Sequence, residues 1–525
     1  MKHHLRFPQR TITLLFCCAL LLVLNTGAAP DARKQADLIM AGDYVVTMDQ
    51  RQPVIQNGAV AIDDGKIVAV GPADQIMSKY RAARVLSGQG KVVMPGLING
   101  HTHLAMALFR GLADDLTLND WLQNHIFPAE ARFVNPEFIR IGVQLACWEM
   151  IRGGTTTFVD MYFYPDVEAK VIEQCGVRGV IAPSTIDFPS PGFTGWDDSF
   201  ASAVSFVKRW KGKNPRIIPA LGVHAPYTVA PEHLVQAMEA AKRLKVPISI
   251  HVAETQAEVD DILNRYGNRP VNHLNSLDFF EAQTIAAHMV YPDAAEIQLL
   301  AAKGVGVIHC PSSNLKLASG VSPVPQMLEA GVKVGLGTDG AASNNDLDMW
   351  EEMTLAALLH KGVSKDPTTM PAQTVLNMAT LGGAGAIGLD RQIGALTVGR
   401  RADLIQVRLD EPNMIPTYNI VSNLVYAAKA DDVDTVVVEG KLLMLHGKVL
   451  TLDIEQIRAD VARLAAQIKA SAGNQPNGPA AQPAGRAPLS LVALARQPSI
   501  APYLKSDDSS ISISQRSIQR VLSHS

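Results

Sequence analysis

At positions 100–103 the chain reads Gly-His-Thr-His, so two imidazoles stand one residue apart at the end of an apolar run. In an extended strand, residues i and i+2 point the same way, and His101 and His103 therefore project together. Two nitrogen donors converging on one point suit a metal ion. Later apolar runs repeat the theme: they carry His224, His251, His288 and His309 at or near their ends, and the last closes on Asp339. Of the eleven histidines between residues 29 and 470, six occupy these positions, a concentration that packing alone does not explain. Catalytic zinc takes imidazole nitrogens and a carboxylate oxygen and keeps one position open for water. His101, His103, His251 and Asp339 together read as a metal site. His309, beside Cys310, reads as a core or loop residue and stays outside it.

Such a set needs strand ends gathered on one face. Eight β-like runs can be read, at 91–101, 155–162, 177–184, 216–224, 247–254, 284–290, 304–311 and 333–340. Most are continuously apolar, as expected of strands buried on both faces, and helical patterns such as 231–245 separate them. The expected class is α/β: a (β/α)8 TIM-type barrel over 94–393, whose sites lie at the C-terminal ends of the strands. Residues 36–93 and 394–452 carry alternating strand patterns with turn residues. Each flank is thin alone, which predicts one composite β-sandwich built from both chain ends. A C-terminal helix is expected at 453–470.

The two ends differ in composition from this middle. Lys2, Arg6 and Arg10 precede an apolar stretch at 12–24, and Thr26-Gly27-Ala28 follows, so residues 1–28 read as a signal peptide cleaved near Ala28. The stretch is shorter than the ~18 residues of a membrane span, so a periplasmic or secreted protein without a stable anchor is expected. Residues 471–525 are rich in Ala, Pro, Gln, Gly and Ser and read as a disordered tail. A formal charge of -3 and the lack of a dense basic run argue against a nucleic-acid partner. Cys17 and Cys18 leave with the leader; Cys147, Cys175 and Cys310 lack disulfide or zinc-ribbon spacing and read as packing residues.

Four segments are more specific: GLINGHTHLAMALFRGLADDLTLNDWL from Gly96, HVAET from His251, CPSSNLKL from Cys310 and GTDGAASNN from Gly337. They resemble the amidohydrolase superfamily, and within it the methylthioadenosine/S-adenosylhomocysteine deaminases and their triazine-hydrolase relatives. The resemblance spans about 36–465. It implies one divalent metal, zinc or else Fe2+, held by His101, His103, His251 and Asp339. Binuclear members need a strand-4 lysine, where this chain has His224. The implied reaction is attack of an activated water at C6 of a 6-aminopurine nucleoside, such as methylthioadenosine, 5′-deoxyadenosine or adenosine, releasing ammonia. Asp339 would take the water's proton. Glu254 would protonate ring N1 and later serve the leaving amine, and His288 would hydrogen-bond the attacking water. His224 would contact the purine, Glu130 the ribose hydroxyls and Trp121 the 5′ substituent, with Ser343 lining the same pocket. A small-molecule substrate and a homo-oligomer are expected.

One departure qualifies the resemblance. Family members favouring S-adenosylhomocysteine use arginines after strand 3, whereas 182–196 here has no Arg or Lys. Losing a charge-assisted contact to a carboxylate tail puts that substrate in doubt. Competing readings are a triazine- or guanine-type aminohydrolase sharing the metal site, a cyclic-amide hydrolase, which the missing lysine disfavours, and an inactive metal-binding scaffold, against which Glu254 and Asp339 argue.

Overall fold

The computed structural model describes Met1 and residues 33–472 of the 525-residue chain. The rest of the expected leader, and the expected tail beyond residue 472, lie outside the described residues. Of the described residues, 33–469 belong to one compact unit.

The N-terminal flank forms β1 (Lys34–Val46), β2 (Val54–Asp63), β3 (Lys66–Pro72), β4 (Tyr80–Leu86) and β5 (Lys91–Pro95). Parallel strands follow: β6 (Leu97–Thr102), β7 (Thr155–Asp160), β8 (Arg178–Ile181), β9 (Ser184–Thr185), β10 (Ile217–Pro219), β11 (Leu221–Val223), β12 (Ile248–Val252), β13 (Thr284–His288), β14 (Gly306–His309) and β15 (Lys333–Leu336). The C-terminal flank supplies β16 (Leu404–Arg408), β17 (Val433–Val438), β18 (Lys441–Leu445) and β19 (Lys448–Val449).

Both ends of the chain enter one nine-stranded sheet. The junction is β5, which runs parallel to β1 (Tyr44 opposite Val92) and antiparallel to β16 (Ile405 opposite Met94). Residues of these strands, among them Met40, Val45, Val60, Val93, Leu404 and Val437, pack into one apolar cluster. This explains why neither flank carries a full core in its own sequence.

The expected first run, 91–101, is corrected here: it is two strands in two sheets. The chain changes direction at Gly96, where a Cβ would stand 2.1 Å from the Thr156 side chain, so only glycine permits this approach to β7. Runs 177–184 and 216–224 are interrupted too. In the first, Pro183 offers no N–H to a ladder. In the second, strand pairing lapses at Ala220, and Gly222 lies where a Cβ would meet the carbonyl oxygens of Ala182 and Pro183 at 2.5 and 2.6 Å. The parallel strands consequently pair as β10-β8-β7-β6 and as β15-β14-β13-β12-β11-β9. At one margin between these sheets Ser184 N, on β9, donates to Tyr162 O, just beyond β7 (2.9 Å), and at the other Asp339 N donates to His101 O (3.0 Å). The second bond is what brings His101 beside Asp339.

Helices cover the strands, including Pro136–Arg152, whose first turn is capped by Asn135 Oδ1 accepting from Glu137 N and Phe138 N. The last helix is Ile454–Ala472. A buried ion pair ties β8 to the C-terminal flank: Arg178 donates to both carboxylate oxygens of Asp403, at 2.8 and 3.1 Å. Cys147, Cys175 and Cys310 are free and buried. Among the described residues no helix is long and apolar enough to cross a membrane.

Candidate active site

His101 and His103 lie at the end of β6 and just beyond it, and the segment is fixed from β7. Asp160 Oδ1 accepts from Thr102 Oγ1 (2.8 Å) and from Leu104 N (2.6 Å), gripping the residues on either side of His103. His251 lies on β12, His288 at the end of β13, and Asp339 three residues beyond β15. His288 and Asp339 have φ of 72° and 63°, left-handed values uncommon outside glycine, and Ala253 has 52°. Such backbone strain clusters where a site requires it.

These ends converge. Ring centroids of His101 lie 4.9 Å from His103 and 4.8 Å from His251. Asp339 Oδ1 lies 3.4 Å from His101 Nε2 and 3.2 Å from His103 Nε2, while His103 Nε2 and His251 Nε2 are 3.4 Å apart. Two triads have ligand atoms close enough to share an ion, His101–His103–His251 and His101–His288–Asp339. Tautomers follow from the outer partners. His103 Nδ1 meets Met161 O at 2.6 Å and His251 Nδ1 meets His224 O at 2.6 Å, so Nδ1 carries a proton in both, and in the neutral ring, the form that binds a metal, Nε2 presents a lone pair inward. Both ring nitrogens of His101 are buried without a hydrogen-bond partner. Two inward nitrogens, an orphaned imidazole and a carboxylate fit a zinc-like ion.

Burial lowers His251 well below the ordinary range, and lowers His101 to about 4 against the pull of Asp339. At His103 burial also opposes protonation, but hydrogen bonding to Asp339 and Met161 raises the group to about 9. Asp339 is pushed up by burial, yet His101 and His103 hold it well below the carboxylate range. Its Oδ2 accepts from Ser313 Oγ (2.7 Å) and Ser343 Oγ (2.8 Å). Ser343 thus stands against Asp339, a residue that lines the cavity, with its hydroxyl used by Asp339 and by Gly340 O.

Glu254 follows β12 in the turn before the helix Gln256–Tyr266, which Thr255 caps. The turn is clasped by the Glu258 carboxylate, which accepts from Ala253 N and Glu254 N at 2.8 Å each. Glu254 therefore lies outside the helix and faces His288, its Oε2 3.8 Å from His288 Nε2. Burial raises its pKa, with Asp339 adding to the rise and His288 opposing it. His288 Nδ1 is held by Asn314 Oδ1 at 2.9 Å.

A cavity of about 400 Å³ opens onto this cluster, within the range of small-molecule sites. His103, His224, His251, Glu254, His288 and Asp339 line it, together with Trp121 and Glu130. Trp121 opens a wide π-helical turn, Trp121–Ile126, a distortion frequent at functional sites. Glu130 follows in the helix Phe127–Phe133, and its Oε1 accepts from the Tyr162 hydroxyl at 2.8 Å. Burial pushes Glu130 up to about 7 against that hydrogen bond. His224, lowered to about 3 by burial and its histidine neighbours, is held through Nδ1 by Thr228 Oγ1 at 2.9 Å. His309 lies apart, its ring 5.3 Å from His360.

The amidohydrolase family model matches residues 92–443, and an imidazolonepropionase-like composite domain of bacteria matches residues 58–83. The chain is 49% identical over 410 residues to a 5-methylthioadenosine/S-adenosylhomocysteine deaminase of Syntrophobacter fumaroxidans, covering 78% of this chain and 93% of that protein. It is 45% identical over 415 residues to a 5′-deoxyadenosine deaminase of Methanosarcina mazei, with coverage of 78% and 93%. A crystal structure of an adenosine deaminase from Xanthomonas campestris with bound zinc is similar at a TM-score of 0.81 and 40% identity, over 83% of this chain and 100% of that one. With the family model spanning most of the chain and such relatives matched over nearly their whole length, the chain belongs to the amidohydrolase family, in the group of methylthioadenosine/S-adenosylhomocysteine deaminases.

Proposed function

We propose that this hydrolase removes the 6-amino group of purine nucleosides, taking up water and releasing ammonia and the inosine analogue. The observation that carries the reading is the placement of Glu254: a buried carboxylic acid facing the same cavity as the histidine–aspartate cluster, 3.8 Å from His288.

In this reading His101, His103, His251 and Asp339 hold one divalent ion, zinc first and ferrous iron second. A bound ion acts as a Lewis acid and lowers the pKa of water toward ~7. Glu254, its pKa raised by burial, gives its proton to ring N1 as water adds to C6. Asp339 takes the proton the water loses, its carboxylate kept from rotating by Ser313 and Ser343. His288, with its Nδ1 turned to Asn314, accepts a hydrogen bond from the water at Nε2. When the C6–N bond breaks, Glu254, left as a carboxylate, takes the C6 hydroxyl proton and carries it to the departing amine as the C6 carbonyl forms, and the proton held by Asp339 returns through water to Glu254. His224 lies against the purine, and Glu130, with Oε1 occupied by Tyr162, offers Oε2 to the ribose hydroxyls.

The same proposal covers the architecture and the setting of the enzyme. The eight parallel runs close as a (β/α)8 barrel, for which the hydrogen bonds at both sheet margins speak, and the nine-stranded sheet folds over its core as a composite sandwich. The chain is exported by its leader and works as a homo-oligomer. N-terminal sequencing of exported protein and light scattering check these two points; an intact leader or a monomer contradicts them.

The functional test is ammonia release by zinc-loaded protein from adenosine, methylthioadenosine, guanine and melamine. Release from the nucleosides, with Glu254→Gln retaining metal and losing most turnover, supports the reading. Release from guanine or melamine alone contradicts it.

A further inference from the structure

We infer that Asp187, which does not itself line the cavity, is a positioning residue for substrate binding: it holds one wall segment of the cavity and, through the turn that carries Thr228, the orientation of His224. The inference rests on the deaminase reading, in which His224 lies against the purine, and goes past it to the residue behind that contact.

Asp187 stands two residues beyond β9, between Ile186 and Phe188, which both line the cavity. All its polar groups are used on the neighbouring unit. Asp187 N donates to Thr228 O at 3.2 Å, Oδ2 accepts from Ala230 N at 2.7 Å, and Oδ1 accepts from His233 Nδ1 at 2.8 Å. Ala230 precedes the helix Pro231–Leu244 and has no side-chain cap of its own. The carboxylate from the other loop takes that place, at the positive end of the helix dipole. His233 is braced in turn: its ring lies flat on Trp196, with centroids 4.6 Å apart and planes 6° from parallel, and Trp196 Nε1 donates to Gln236 Oε1 at 2.6 Å.

The turn held in this way aims His224. Thr228 Oγ1 donates to Ala225 O at 3.2 Å and therefore accepts from His224 Nδ1 at 2.9 Å, which leaves His224 Nε2 as the free acceptor of the ring. Asp187 grips this turn at Thr228 O and again at Ala230 N, so a shift of Asp187 moves the hydroxyl that orients the imidazole. The far end of the wall segment is fixed separately, by the Asp198 carboxylate accepting from Thr194 N (2.7 Å) and Gly195 N (3.1 Å). None of the Asp187 bonds is made to His101, His103, His251 or Asp339. Loss of its side chain should therefore weaken substrate binding while leaving the ion and the chemical step in place.

The test is steady-state ammonia release from adenosine, with metal content measured beside it, for the zinc-loaded parent and its variants. Asp187→Ala is expected to raise KM roughly 5-fold or more, the effect of losing a hydrogen bond that holds a binding group, with metal retained. The change in kcat is expected to stay within about twofold, since the interactions made only in the transition state are untouched. Asp187→Asn, whose amide oxygen still accepts from Ala230 N, is expected to recover part of the loss. Thr228→Val is expected to raise KM as well, and the double variant with Asp187→Ala to raise it by less than the product of the two, as for members of one chain of contacts. His233→Ala, which leaves the carboxylate unbraced, is expected to give a smaller rise of the same kind and carries the test if Asp187→Ala does not fold. Parental KM in these variants, a fall in kcat with KM unchanged, or fully multiplicative effects in the double variant overturns this inference alone. A parent that releases no ammonia from adenosine or 5′-methylthioadenosine overturns the deaminase reading together with it.

Discussion

The Tyr162 hydroxyl donates a 2.8 Å hydrogen bond to Glu130 Oε1, and both residues are buried. This pairing joins the end of the β7 segment to the helix that carries Glu130, and it decides which oxygen remains for substrate. It also opposes the burial that raises Glu130 to about 7.

Glu130 is therefore expected to make ribose binding pH dependent. The ionised form accepts from the hydroxyls, so KM should rise as pH falls through about 7. Tyr162→Phe removes an interaction that favours ionisation, so the transition should move to higher pH. At pH 7 KM should rise roughly 10-fold or more, because hydrogen bonds to charged groups contribute about 1.5–3 kcal/mol, while kcat changes less. The same shift fixes a stability effect: a carboxyl whose folded pKa is raised contributes stability below about 4.5 that is lost as pH rises through about 7. Glu130→Gln should accordingly melt higher than the parent at pH 8 while binding ribose substrates worse. A KM profile unchanged by Tyr162→Phe would contradict the pairing's role.

Ser313→Ala and Ser343→Ala should each lower kcat roughly 10-fold with the metal retained, since each hydroxyl restrains Asp339 Oδ2. The double variant should lose less than the product of the two, as expected for partners of one atom. Metal analysis beside steady-state kinetics checks this; loss of metal in the single variants would mean that the serines serve ligation instead.

The histidine pattern was legible in the sequence because strand ends are readable from apolar runs, and such ends are where His101, His103, His251, His288 and Asp339 stand. The pairing of those ends was not. Nothing in a linear reading says that run 91–101 breaks at Gly96, because the reason is Thr156, sixty residues away, at 2.1 Å from a Cβ that glycine lacks. The resemblance places Ser343 at the pocket, but its hydrogen bond to the Asp339 carboxylate depends on the tight turn at Gly340, which no linear reading shows. Tyr162, Asp160, Ser313 and Asn314 act through contacts made by distant segments. Only the motif CPSSNLKL gave a hint of the last two, as part of a resemblance and without a role.

Chelation should abolish activity and lower the melting temperature, with zinc restoring both, because an ion that binds only the folded chain stabilises it by mass action. Metal affinity should weaken in acid, since the imidazoles must be neutral to bind. A melting curve indifferent to chelator and zinc would show that the histidine cluster holds no ion.

Arg178→Met should cost roughly 3–5 kcal/mol of stability, because it leaves Asp403 as a buried unpaired carboxylate between β8 and the C-terminal flank. Denaturant unfolding measures this. A double variant with Asp403→Asn should recover part of the loss; no recovery would mean that the guanidinium stem, rather than its charge, is what matters.

The central claim is hydrolytic exchange of nitrogen for oxygen at C6, and isotope transfer tests it most directly. Metal-loaded protein turning over 5′-methylthioadenosine in water enriched with oxygen-18 should release one ammonia per nucleoside and yield the inosine analogue carrying a single heavy oxygen on the base. Heavy oxygen anywhere other than C6, a free purine base, or an unchanged nucleoside beside an active metal-loaded enzyme would contradict the account.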